Sequence, residues 1–171
     1  MSDIGINRPI NLIVNAFKNE LWKSVNSKEF YGMCSRNLRN GKIVAELYTG
    51  VNNEYKELYF DDKVNALFFF DTEDNVVNIA NEPIREVRLI CSINLKSIYP
   101  LLTHRATEEA HHDVISILKG RYSSWFELTR IDTGLEAYGN INVDNLKQYT
   151  MQPYYTFAII MNVKYSYQCQ I

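Results

Sequence analysis

The sequence predicts an α+β fold, an antiparallel sheet with two main helices packed on one of its faces. Three observations carry that expectation. Apolar residues recur at helical spacing in two separate stretches, they alternate with period two in several others, and the two kinds of segment do not follow one another regularly. With 171 residues the chain fits one domain, residues 1–171, with room for a sizeable core.

Ile10, Ile13, Val14, Phe17, Leu21 and Val25 mark one face of the first helix. Asn7 is its expected N-cap, and Pro9 fits the first turn, where a missing N–H costs nothing. Strands are expected at residues 42–48, after the turn signal Asn40-Gly41, and at 54–60 and 64–71, joined as a hairpin through Asp61-Asp62-Lys63. Leu67 to Phe70 are apolar on both faces, which places that strand centrally or under cover on both sides. An acidic link, 72–83, leads to a long strand in which Val87, Leu89, Cys91, Ile93 and Leu95 alternate with polar residues until Pro100.

The second helix is expected to begin near Thr103 or Arg105. It carries Ala106, Ala110, Val114, Ile117 and Leu118 on one face, and Gly120 is its expected C-cap. A short strand at 125–131 precedes a link of about twenty residues, 132–153, which is long for a simple connection and reads as an intersubunit arm. From Phe157 onward the chain alternates again, with Ile159, Met161, Val163, Tyr165 and Tyr167 on the face of Phe157. That strand exceeds the usual length of about five or six residues. It is expected to complete a sheet near a neighbouring copy.

Composition narrows the function. The formal net charge is -2, so the overall balance does not favour nucleic-acid binding. Cys34, Cys91 and Cys169 are scattered without a CxxC pair, as expected for reduced thiols in a cytoplasmic setting. No stretch approaches the ~20 apolar residues of a membrane helix, and MSDIGINRP lacks the pattern of a signal peptide, so a soluble protein is expected.

One cluster invites a catalytic reading. His104, Glu108 and His112 are four residues apart and would share a helical face, as a metal-dependent hydrolase could use; HExxH spacing is missing, and a solvated face with polar pairs explains them as well. His111 has no assigned role. The sequence shows no G-x-S-x-G elbow and no glycine-rich phosphate cradle, and neither a catalytic residue, a cofactor nor a metal is expected. Assembly is the better reading. Several of the twelve tyrosines crowd the link and final strand, where Tyr138, Tyr149 and Tyr154, with Met151, are candidate contacts between subunits. Arg36 and Arg39, with Lys42, form a basic segment suited to a phosphate backbone or to the acidic link of a neighbour, and the protein contact is favoured.

Three segments, INLIVNAFKNELW, EEAHHDVISILKG followed by SWFELTRIDTGLEAY, and QPYYTFAIIMNVKYSYQC, carry a resemblance over most of the chain, from Asn7 to Cys169. They resemble the ring-forming neck and tail-terminator-like proteins of tailed bacteriophages, particularly crAss-like phages. The resemblance implies a virion structural subunit without catalytic residues, forming a six- or twelve-fold ring at the portal–tail junction. Its partners would be its own copies, the portal, and other neck or tail proteins. Double-stranded DNA would pass through the channel without sequence-specific binding, and no membrane is involved. A surface that lets DNA slide should not grip phosphates, so Asp61, Asp62, Glu73 and Asp74 are candidates for the lumen or its rim. A dimeric binding module is the remaining alternative.

Overall fold

Helix α1 (Asn7–Glu20) opens the computed structural model, which describes residues 4–52, 54–72, 76–79 and 82–166. Its face of Ile10, Ile13, Val14 and Phe17 is buried, as the spacing predicts. Asn7 is the first helical residue and not the cap; the chain turns into the helix at Gly5, whose φ of 64° places it in the left-handed region. At the other end, Lys28 Nζ donates to the carbonyls of Leu21 and Trp22, filling acceptors that the helix end leaves open.

Strands β1 (Lys28–Met33), β2 (Ser35–Arg39), β3 (Lys42–Tyr48), β4 (Tyr55–Glu57), β5 (Ala66–Asp71), β6 (Val76–Ile79) and β7 (Glu82–Asn94) follow. A short helix α2 (Leu95–Ile98), the long helix α3 (Thr107–Arg121), and strands β8 (Phe126–Thr133) and β9 (Tyr154–Lys164) complete the set. The main sheet runs β1-β5-β7-β9-β8, with β6 paired beside β7. All its pairs are antiparallel except β1 with β5. A second sheet, β2-β3-β4, is smaller.

The predicted α+β class holds, with α1 and α3 on one face of the main sheet. Phe17, Leu21, Leu89, Ile93, Val114, Leu118, Ile159 and Val163 all meet in the core beneath those helices. The opposite face has a core of its own. There Leu67, Phe69, Ile90, Ala158 and Ile160 of the sheet meet Ala45, Leu58 and Phe60 from the small sheet and its exit, and Ala137, Tyr138, Ile141 and Leu146 from the link after β8.

Several expectations change in this light. Residues 54–60 and 64–71 are not a hairpin: β4 pairs with β3 in the small sheet, and β5 enters the main sheet between β1 and β7. Leu58 and Phe60 are buried along the crossing, and Asp61 Oδ1 accepts from the backbone of Lys63 in the turn. The long strand ends at Asn94, whose side chain accepts from Ser97 N and starts α2 before Pro100 is reached. Gly120 lies inside α3, which ends one residue later at Arg121. The closing strand is not at a margin; β9 lies between β7 and β8 and is buried on both faces from Tyr155 to Met161. Tyr167 and Cys169 lie outside the described residues.

Truncating Leu118 tests the helix face. The side chain is wholly buried in the core shared by α3 and the sheet. Leu118→Ala should cost about 2–5 kcal/mol of stability. An unchanged melting temperature would contradict this packing.

Candidate assembly surface

The residues that the sequence offers to neighbours are mostly occupied within the chain. Arg36 forks onto Asp71, with Nε to Oδ1 at 2.7 Å, and Asp71 is only 1% exposed. Arg39 and Asn37 both donate to the buried carboxylate of Glu46, whose pKa is lowered chiefly by the hydrogen bond from Arg39. Lys42 pairs with Asp144. The segment expected to form a turn is the β2–β3 hairpin, so its cations lie across from acceptors of the same chain.

The link 132–153, expected as an arm, likewise packs as a cover on the sheet of its own chain. Two short 3-10 helices, Gly134–Tyr138 and Lys147–Thr150, shape it against the sheet. Tyr138, expected at a subunit contact, is 1% exposed; its hydroxyl lies 2.6 Å from Ser92 Oγ, which also meets Thr156 Oγ1 at 3.2 Å. A phenol ring buried with its hydroxyl satisfied is a core side chain. Arg88 fixes the link from below. Its Nη1 donates to Asp132 Oδ2 at 2.9 Å and to the carbonyls of Glu136 and Ala137. Gly139 passes so close that a Cβ there would sit 3.3 Å from Arg88 Nε, and its φ is 58°. Tyr149 and Tyr154 are half-buried and pack edge-on against Phe60 and each other. Met151 alone of the four candidates is largely free, at 67% exposure.

The His/Glu trio does not converge. His104 precedes α3 and bonds Glu109, His112 lies 3.5 Å from Ser116 Oγ, and the Glu108 side chain points to solvent. Among the described residues no group of three His, Cys, Asp or Glu side chains is placed to hold a metal ion. His111, without a role in the sequence reading, proves structural. Its Nε2 lies 2.8 Å from the Tyr155 hydroxyl and its ring packs on Phe157. Cys34 and Cys91 are buried free thiols, and burial raises the pKa of each, with Asp71 adding to the shift at Cys34. No helix of the described residues is long and apolar enough to cross a membrane.

What remains open is the rim of the molecule. Among the described residues, β1 and β8 are the two end strands of the main sheet, each paired on one side only. β8 is exposed along most of its length, including Glu127, Arg130 and Ile131. Apolar side chains also stand out at two turns. Tyr48, Val51 and Tyr55 project at the β3–β4 hairpin, and Leu101, 92% exposed, stands out before α3. Asp62 is exposed in its turn and Asp61 is half-buried; Glu73 and Asp74 lie outside the described residues. The sequence hid β1 and β2 because they carry no clean alternation: KEFYGM is interrupted by Gly32, and SRNLR is mostly polar.

The chain matches no family model, no curated protein and no solved structure.

Two outcomes test these assignments. Deleting residues 138–147 removes Tyr138, Ile141 and Leu146 from the second core. The shortened chain should lose its cooperative thermal transition; a sharp, unchanged melt would return this link to the role of a dispensable arm. The other concerns acid. Burial lowers the pKa of His111 from 6.5, with Glu108 opposing, so the unfolded chain takes up this proton more readily than the folded one. The contribution is therefore complete above the unfolded pKa and declines as pH falls through about 6.5. His111→Gln should flatten the fall in melting temperature on acidification across that window, and an identical slope in the variant would count against it.

Proposed function

We propose that this protein is a virion structural subunit that assembles into a ring around the DNA channel at the portal–tail junction of a tailed phage. The observation that carries this reading is the distribution of free surface. Both faces of the main sheet are covered by the chain's own elements, whereas its two end strands, β1 and β8, are open at opposite margins. Two unlike edges on one subunit suit a heterologous contact, and such a contact closes into a ring when the rotation between subunits divides a full turn. The resemblance of the three sequence segments to neck and tail-terminator-like proteins supports the same reading.

Its partners are then further copies of itself and the portal, neck or tail proteins above and below. The exposed tips at Tyr48, Val51 and Tyr55 and at Leu101 are available for those axial contacts. Double-stranded DNA passes through without sequence-specific binding, which suits a chain of net charge -2. The acidic turn at Asp61 and Asp62, and the carboxylates of Glu73 and Asp74, belong at the lumen or its rim in this proposal.

Native mass spectrometry and negative-stain imaging of the purified full chain test it. A closed six- or twelve-fold ring is the expected result. A monomer at all concentrations, or a dimer that never grows, would overturn the ring.

A further inference from the structure

The strand directions of the main sheet constrain how a ring could close. β1 runs parallel to β5, and β5 is antiparallel to β7. β7 is antiparallel to β9, and β9 to β8. Following these steps across the sheet, β9 runs with β5 and β1, and β8 runs against all three. When two copies are placed side by side with their sheets continuous, β8 of one therefore meets β1 of the next in antiparallel orientation. That is the more stable of the two pairing modes per residue. The single parallel pair, β1 with β5, makes this so; an all-antiparallel path of five strands would bring like-directed edges together.

The side chains agree with that placement. Glu29 is paired with Leu67 and Arg130 with Ile160, and both partners belong to the core opposite the helices. Glu29 and Arg130 therefore stand on the same face of the sheet, at its two opposite ends. Glu29 is level with Thr156 of β9 and Arg130 with Ile160, so they oppose one another as an opposite-charge pair when the neighbouring sheet is offset along its strands by four residues. On the helix side of the same strands, Ile131 is exposed on β8. Within one subunit neither charge has a demanding partner. Glu29 accepts from the Tyr31 hydroxyl at 3.0 Å and lies 3.7 Å from Lys56, and Arg130 Nε reaches Asp132 at 3.1 Å at the surface.

We infer that β8 of one subunit adds to β1 of the next, head to tail and antiparallel, with Arg130 of the first facing Glu29 of the second. This rests on the ring reading and makes it specific. The β8 edge carries a bulge between Leu128 and Arg130 together with charged Glu127 and Arg130. Such features discourage indiscriminate pairing of an open edge. A complementary carboxylate on the arriving strand then selects the correct one. A two-fold β1–β1 or β8–β8 contact is also antiparallel, but it brings like edges together, leaves the other edge of each copy open and stops at a dimer.

Crosslinking tests the contact in the full chain. In a Cys169→Ser background, Glu29→Cys and Arg130→Cys chains are prepared separately, mixed under assembly conditions and treated with a short bis-maleimide. The inference expects heterodimers joined between positions 29 and 130, little product from either chain alone, and a ladder of multimers from a chain carrying both changes. Products linking 29 to 29 or 130 to 130 would overturn it in favour of a two-fold contact. Charge reversal supplies a second readout. Glu29→Arg and Arg130→Glu should each abolish the high-mass species while leaving the melting temperature of the subunit intact, and the two changes in one chain should restore it. Rings that form without any 29–130 product and tolerate both reversals would overturn the edge pairing alone. A monomer before any substitution would overturn the ring and the edge pairing together.

Discussion

Everything in this molecule is referenced to the pairing of β7 with β9. The two strands are in register for eleven pairs, from Ile84 with Lys164 to Asn94 with Tyr154. Because side chains alternate, that register sorts two chemically different sets. Val87, Leu89, Cys91 and Ile93 go to the helix side with Tyr155, Phe157, Ile159 and Met161. Arg88, Ile90 and Ser92 go to the other side with Thr156, Ala158 and Ile160. A slip of one residue would push the Arg88 guanidinium and the Ser92 hydroxyl beneath α1 and α3, where no acceptor awaits them. The correct register is therefore enforced by the polar side chains as much as by the apolar ones.

Those few polar groups also explain how an irregular link becomes a fixed layer. The backbone bonds within the link are local turns, so its position against the sheet must be set by what else it meets. Arg88 takes three of its oxygens, and Ser92 meets the hydroxyl of Tyr138. Both rise from the same face of β7. The ion pair of Arg36 with buried Asp71 does the same for the small sheet, tying β2 to the end of β5. A buried charge pair of this kind adds little net stability over an apolar contact, but losing either partner strands the other. It fixes where a layer sits more than how strongly it binds.

How much of this could be read from the sequence follows from what each segment buries. The helices and the strands β3, β5, β7 and β9 are legible because each presents an apolar face, and Ile13, Phe17, Leu89, Val114 and Ile159 lie in the core as their spacing requires. β1 and β2 are not legible, since an end strand and a solvated hairpin need no alternation. The link 132–153 misleads for a related reason. Its buried residues, Ala137, Tyr138, Ile141 and Leu146, have no constant period because a 3-10 turn, a bend and a loop supply them in succession. Tyrosine misleads too, since one residue type serves a buried hydroxyl network and an interface equally well. For the proposed assembly surface, the charges Glu29 and Arg130 acquire meaning only once the strand order places them on one face at opposite ends.

The same geometry decides what kind of assembly such a subunit can make. With both faces of the main sheet occupied by the chain's own layers, contacts in the proposed ring come from strand edges and small exposed tips. An edge contact of a few residues is weak by itself, because its hydrogen bonds replace bonds to water at a net gain of only about 0.5–1.5 kcal/mol each. Closure changes the balance. In the proposed ring each subunit is held on two sides, so its escape requires both junctions to break together, and the second junction forms at high effective concentration once the first exists. Weak, reversible edges have a further consequence. A mispaired subunit can leave before the ring closes, whereas a large apolar interface would trap it. A sheet sealed on its faces and open at its ends is thus suited to an assembly that must be correct in number before it becomes permanent.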